Sequence, residues 1–337
     1  MKRRSFLKGA AWAAVGAAVA PELLSCTTKP AAKNLEQDLR VARDFHYGLD
    51  GQFKLLQFTD THYIAGDPRS ERALRCVEEM LERERPDLVI HTGDIVFGKP
   101  DIPSALEILQ PLAESGIPWA VALGNHDSQF GATREEMFRA IRELPGCVNL
   151  SPKEGVYGAS NDVITLGDDR AFYLFDSMDA VILKGEEEIH CYDYIRHSQI
   201  AWYRTWSDHL GHIPSLAFFH IPLPEVTEGL ANGGKLLGGT NGEPPCPSRL
   251  NSGLLAQFRE MDDVQAIVTG HDHDCDYVLD YGQMYYIYGR FSGCDTTYNH
   301  LGPSGARVFQ FTAGSSSFET WVRLMGGAVE QKLTLSR

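Results

Sequence analysis

Phe53-Lys54-Leu55-Leu56-Gln57-Phe58-Thr59-Asp60-Thr61-His62 runs from an apolar stretch directly into a carboxylate and an imidazole. The stretch 53–59 reads as a β-strand, and the polar pair then sits just beyond its C-terminal end. The same layout recurs downstream. A strand at 88–91 precedes Gly93-Asp94, and one at 119–123 precedes Gly124-Asn125-His126-Asp127. One at 216–219 precedes His220, and one at 264–269 precedes Gly270-His271-Asp272-His273. Helical patterns fill the gaps. Residues 69–84 place Ala73, Val77, Met80 and Leu81 on one face and stop before Pro86, and 102–115 end at Gly116. Further helices are expected at 134–144 and 198–210. Short apolar strands alternating with amphipathic helices predict an α/β fold. In open α/β sheets, groups at the C-terminal strand ends meet along one edge, where ligands bind.

The residues gathered at that edge share a chemistry. Asp60, His62, Asp94, Asn125, His220, His271 and His273 are carboxylates, imidazoles and one amide, a donor set that suits Mn, Fe or Zn. An aspartate at a turn can bridge two ions with its two oxygens. Two ions about 3.5–4 Å apart can clamp the attacking and leaving oxygens of a displacement at phosphorus, and water between them loses a proton near neutral pH to become the nucleophile. Gly93, Gly124 and Gly270 permit the tight turns and close backbone approach that such a site needs.

In this order and spacing, the D-x-H, G-D, G-N-H-D, strand-end H and G-H-x-H motifs resemble those of the calcineurin-like metallophosphoesterase superfamily, over residues 53–273. The resemblance implies a four-layer αββα sandwich, two mixed β-sheets flanked by helices. It implies two divalent or trivalent metal ions. The residues matching Asp60, His62, Asp94 and His273 hold one ion; those matching Asp94, Asn125, His220 and His271 hold the other, with Asp94 bridging. The residue matching His126 contacts the phosphate and protonates the leaving oxygen; the alternative is a histidine that packs beneath the ions. The implied activity is phosphate-ester hydrolysis, with a phosphomonoester as the expected substrate. A phosphodiesterase acting on cyclic nucleotides or glycerophosphodiesters is the rival within the enzyme class. A non-catalytic surface lipoprotein that uses the fold for binding is the rival outside it. Phe97 stands three residues after Asp94, where the purple acid phosphatase branch carries a metal-binding tyrosine. A phenyl ring cannot coordinate, and His62 fills the vacancy as in the non-purple branches. Tyr288-Gly289-Arg290 is similar to a block in a yeast and plant phosphatase subgroup.

Several residues have two readings. Asp127 either orients His126 or caps the helical region that follows. Asp272, between two ligands, is expected to point away. Arg290 either touches a phosphate oxygen or forms an ordinary surface salt bridge. Trp202, Tyr203 and Trp206 have helical spacing and belong to a core, and His91, His209 and His300 are packing or surface residues. Residues 156–166 and 171–175 read as strands joined by Gly167-Asp168-Asp169, and 306–311 and 318–323 as further strands. The Gly-, Asn- and Pro-rich stretch 228–249 reads as a long surface loop that shapes the pocket.

The N-terminus carries a different message. Arg3-Arg4-Ser5-Phe6-Leu7-Lys8 followed by the apolar Ala10-to-Ala20 run resembles a twin-arginine export signal. Leu23-Leu24-Ser25-Cys26 resembles a lipoprotein cleavage box, which would make Cys26 a lipid anchor. The expected organisation is a signal over 1–26, a tether over 27–52 and one domain over 53–337, in a periplasmic or membrane-anchored bacterial protein. A composition of 43% hydrophobic and 23% charged residues is that of a soluble globular domain. A formal net charge of −14 opposes nucleic-acid binding, which needs clustered Lys and Arg. It does not oppose a small phosphorylated substrate, because bound ions supply local positive charge. The seven cysteines include no CxxC pair, so a thiolate metal site is not expected; disulfides and free thiols both remain open.

Overall fold

A computed structural model describes residues 39–184 and 188–337. The expected signal, Cys26 and residues 27–38 of the expected tether lie outside the described residues. In chain order, β1 (Arg43–Phe45) and β2 (Gln52–Phe58) precede α1 (Glu71–Glu84). There follow β3 (Leu88–His91), α2 (Asp101–Ser115), β4 (Trp119–Val121) and α3 (Arg134–Arg142). The middle holds β5 (Asp162–Leu166), β6 (Arg170–Leu174), β7 (Ala180–Lys184), β8 (Glu188–Tyr192) and α4 (His197–Leu210). Next come β9 (Ser215–Phe218), α5 (Glu225–Ala231), β10 (Lys235–Gly238), α6 (Leu254–Met261) and β11 (Val264–Thr269). The chain closes with β12 (Val278–Tyr281), β13 (Met284–Tyr288), β14 (Gly305–Thr312), β15 (Phe318–Leu324) and β16 (Val329–Leu335).

The strands form an eight-stranded sheet, β1-β5-β6-β9-β11-β13-β12-β10, a six-stranded sheet, β16-β15-β14-β2-β3-β4, and the separate hairpin β7-β8. Both large sheets are mixed. β2, β3 and β4 run parallel, as do β6, β9, β11 and β13, while β14 is antiparallel to β2 and β12 to β13.

Strand alternation builds the layers. Phe53 and Leu55 on β2 meet Leu216 and Phe218 on β9 in a core between the sheets. The opposite face of β2, Leu56 and Phe58, packs against Ala73, Val77 and Met80 of α1 and Ile108 and Leu109 of α2. Ala217 and Phe219 face Trp202, Tyr203 and Trp206 of α4 and Phe258 of α6. Helices therefore cover both outer faces, giving the αββα sandwich, and each central strand is buried on both sides.

Three elements differ from the sequence reading. The expected strand over 156–166 begins only at Asp162, because Ala159 and Ser160 give their N–H groups to the Asp176 carboxylate rather than to a ladder. The expected loop 228–249 contains the end of α5 and the edge strand β10, which pairs antiparallel with β12. Within the expected tether, Arg43–Phe45 pairs parallel with β5 as an edge strand.

Candidate metal centre

The C-terminal ends of β2, β3 and β4 in one sheet and of β9 and β11 in the other open onto the same place. Backbone bonds fasten the loops: Asp60 N–H donates to the Gly93 carbonyl, His62 N–H to the Asp94 carbonyl and Gly270 N–H to the His220 carbonyl. The sheets are also joined directly, since Gln57 Nε2 donates to Thr269 O (3.1 Å) and His271 N to Asp60 Oδ2 (3.0 Å). Asp60, His62, Asp94 and His271 all adopt positive φ, at 56°, 49°, 52° and 81°. Left-handed backbone costs a non-glycine residue roughly 1–2 kcal/mol, and such strain persists where surrounding structure enforces it, commonly at functional sites. Gly93 adopts φ 91°, and a Cβ on it would overlap the Gly124 backbone. A Cβ on Gly270 would overlap Thr59 Oγ1 and approach the Asp60 carboxylate.

Six of the seven expected ligands converge in two groups. Potential ligand atoms of Asp60, His62 and His273 lie within 4.8 Å of one another, and so do those of Asp94, His220 and His271. The first group matches one expected ion site and the second the other. Asp94 links them: its Oδ2 is 3.1 Å from His220 Nε2 and 3.7 Å from His62 Nε2. His62 Nε2 and His273 Nε2 are 2.9 Å apart, and His271 Nδ1 is 3.2 Å from His220 Nε2. The other ring nitrogens of two ligands are committed elsewhere: His220 Nδ1 donates to the Thr92 carbonyl (2.8 Å) and His273 Nδ1 to that of Tyr298 (3.0 Å). Their Nε2 atoms are therefore the ones offered to an ion, as in metal sites where an outer hydrogen bond fixes the tautomer. Asn125 Oδ1 is buried and has no hydrogen-bond partner. Crowded imidazole nitrogens, two carboxylates and an orphaned amide oxygen fit divalent cations better than they fit one another.

The electrostatics agree. Burial pushes His62 down to about 4, and burial together with the His220 charge pushes His271 down to about 3. Burial opposes protonation of His220 too, but the Asp94 and Asp60 carboxylates outweigh it and raise that ring to about 9. Both carboxyls are held below their ordinary range, against burial, chiefly by His220. The paired carboxylates thus favour positive charge at this site.

Around the ligands, the two-way readings resolve. His126 is partly exposed, with Nε2 3.8 Å from Asp94 Oδ2, and its Nδ1 meets Gln129 Oε1 at 2.7 Å. Asp127 neither orients His126 nor caps the turn. Its carboxylate accepts backbone N–H groups of Asp94, Ile95, Val96 and Gly124, stitching the β3 and β4 loops together. Burial and the Asp94 charge push it up to about 6. Asp272 points away, accepting from Tyr288 Oη (2.7 Å) and Cys246 N (3.1 Å). Arg290 does not face the centre. It is buried, paired with Asp276 at 2.6 Å and donating to the Leu301 and Pro303 carbonyls, so the phosphate reading is withdrawn and the ion pair is an interior one, not the surface pair expected. Phe97 packs edge-on against His62 (4.9 Å between centroids) and His126 (4.8 Å). The described cysteines are free thiols.

The sequence did not single out Thr92, Tyr298, Gln129, Tyr192 or Arg134. Thr92 and Tyr298 act through backbone carbonyls, which any residue supplies. The Tyr192 ring packs perpendicular to His271 at 4.3 Å. Arg134 donates to the Leu123 and Gly124 carbonyls (2.8 Å each) and forms a buried pair with Asp176.

Residues 53–275 match the family described as calcineurin-like phosphoesterase. The chain belongs to the calcineurin-like phosphoesterase family. Within the family, it is 31% identical over 316 residues to an Arabidopsis thaliana protein called probable inactive purple acid phosphatase 28, covering 81% of this chain and 78% of that one. It is 27% identical over 329 residues to the phosphatase DCR2 of Saccharomyces cerevisiae, covering 83% of this chain and 55% of the yeast protein. Among solved structures, a dimetal phosphatase from Danio rerio shares the calcineurin-like phosphoesterase fold, with a TM-score of 0.56 at 15% identity over 84% of this chain and 98% of that one.

Proposed function

We propose that this chain is an active, metal-dependent phosphoesterase that hydrolyses phosphomonoesters after export from the cytoplasm. The observation that carries the reading is the Asp94 carboxylate, which belongs to one ligand cluster with His220 and His271 and faces His62 of the other, with Asn125 Oδ1 left without a hydrogen-bond partner. Asp60, His62 and His273 with Asp94 would hold one ion, and Asp94, Asn125, His220 and His271 the other; Mn, Fe and Zn suit these donors. Two ions there would supply Lewis-acid charge to the phosphoryl oxygens and make water a stronger nucleophile. The protein's own groups do the rest. Asp127 holds the two loops in register, Thr92 and Tyr298 aim the imidazoles, and His126 presents Nε2 to the departing oxygen, where it holds a proton for it. A groove of about 590 Å³ lined by Tyr192 of β8 and by Pro245, Pro247 and Arg249 of the neighbouring loop lies on the far side of the Tyr192 ring that packs on His271, and is the space we assign to the alcohol part of the ester.

The name of the plant relative favours a second reading, a binding protein that keeps the fold without turnover. Here every expected ligand position is filled, and six of the seven side chains are assembled, which supports catalysis. Purified protein should hydrolyse 4-nitrophenyl phosphate with Mn, Fe or Zn and lose that activity with chelator. Preference for bis(4-nitrophenyl) phosphate would favour a diesterase. Retained metal with no hydrolysis of any phosphoester would favour the binding protein. For export, cell fractionation should place the protein in the envelope, and Cys26→Ser should release it from the membrane fraction.

A further inference from the structure

Proton donation to a leaving oxygen requires His126 to present one defined ring nitrogen. Gln129 Oε1 lies 2.7 Å from His126 Nδ1, and Gln129 Nε2 donates to Asp179 Oδ1 over 2.9 Å. A carboxylate oxygen accepts, so Asp179 draws the amide NH₂ to itself and turns the amide oxygen toward the imidazole. That oxygen also accepts, so Nδ1 must carry hydrogen. Nε2 is left as the nitrogen that gains and loses the mobile proton, and it is the one near Asp94. Phe97, perpendicular to the ring at 4.8 Å, and Phe130, nearly parallel at 6.2 Å, restrict its rotation. Asp127 is the sequence neighbour of His126, but its carboxylate is occupied by backbone N–H groups.

We propose that Gln129, oriented by Asp179, is the positioning residue for His126, fixing its tautomer so that Nε2 faces the reacting phosphate. This rests on the catalytic reading above. In the step served, the Nε2–H bond breaks, the departing alkoxide oxygen gains the proton, and the electron pair stays on Nε2. A neutral amide does this without adding negative charge beside an anionic substrate, as a carboxylate would.

The test begins on the full chain without metal, where ¹⁵N spectra of the imidazole read the tautomer at a pH that leaves the ring neutral. The wild type should carry hydrogen on Nδ1, Gln129→Leu should give a mixture, and Gln129→Glu should restore Nδ1–H. Gln129 is exposed, so neither substitution threatens the fold. A wild-type ring protonated on Nε2, or a Gln129→Leu ring with unchanged populations, overturns the assignment. With metal bound, Gln129→Leu should lower kcat roughly ten- to a hundredfold on an alkyl phosphate, whose leaving group needs a proton, and far less on 4-nitrophenyl phosphate. KM should change little. Equal losses on both substrates would mark a structural role and overturn the proposal. If the wild type hydrolyses nothing, the catalytic reading fails and the spectra alone decide the assignment.

Discussion

Asp94 is the residue on which most others depend. Its Oδ2 faces His220, His62 and His126, its Oδ1 accepts the His126 N–H at 2.8 Å, and its own N–H is held by Asp127. Asp94→Asn removes the shared charge while keeping the shape. Turnover of 4-nitrophenyl phosphate should fall on the order of 100-fold or more, with circular dichroism unchanged. Full activity in a folded variant would contradict the bridging role. Gly124→Ala tests the geometry instead of the charge. Its Cβ would overlap Asp94 Oδ1 and N. Metal affinity, measured by calorimetric titration, should drop on the order of 10- to 100-fold, as for other changes that disturb a ligand's support. At this scale the clustering of the candidate ligands was legible, because each is a side chain with its own chemistry at a strand end. The supports were not. The Thr92 and Tyr298 contacts are main-chain carbonyls, and the Asp127 role depends on which N–H groups the fold brings to it. Arg290 misled for the opposite reason: a guanidinium near a phosphate motif looks like a substrate contact, but Asp276 and two carbonyls take its donors inside the fold.

The element that carries Asn125 and His126 is braced from α3. Arg134 donates to the Leu123 and Gly124 carbonyls and is paired with Asp176, just past β6. Burial raises the Asp176 carboxyl, but the Arg134 guanidinium outweighs it and leaves the group below its ordinary value. A depressed folded pKa stabilises fully above the unfolded value, about 3.9. That contribution is lost as pH falls through the lower folded value. Asp176→Asn leaves Arg134 buried without its counter-charge and should cost about 3–5 kcal/mol near pH 7 in urea unfolding. The gap between wild type and variant should narrow toward pH 3. An equal gap at both pH values would show that the carboxylate charge is not what stabilises. The element pattern itself was largely readable, since α1 follows its 3.6-residue apolar spacing and the central strands are continuous apolar runs. The edges were not. β1 and β10 are short, largely exposed and defined by the strands they pair with, so their own residues carry little signal.

At the scale of the molecule, two sheets bring ligands from opposite halves of the chain to one place, since β2, β3 and β4 supply Asp60, Asp94 and Asn125 while β9 and β11 supply His220 and His271. Any ion held there ties one sheet to the other. Binding to the folded state alone should stabilise it by about 2.7 kcal/mol at a hundredfold excess of free metal over Kd. The unfolding midpoint should therefore rise on adding Mn or Zn and fall back with chelator; a metal-independent midpoint would contradict coupling between the site and the fold. The sandwich was foreseeable only through the family resemblance, because alternating strands and helices are compatible with one sheet as well as two. What distinguishes them is the inter-sheet core of Phe53, Leu55, Leu216 and Phe218, whose members face each other from distant parts of the chain. The most direct test of the account is the metal content of purified protein, reconstituted with Mn, Fe or Zn and then dialysed. The account predicts about two ions per chain, one at Asp60, His62 and His273 and one at Asp94, His220 and His271, and a clear loss in Asp94→Asn. Wild-type protein that retains no metal, or an Asp94→Asn variant that retains as much as the wild type, would contradict it.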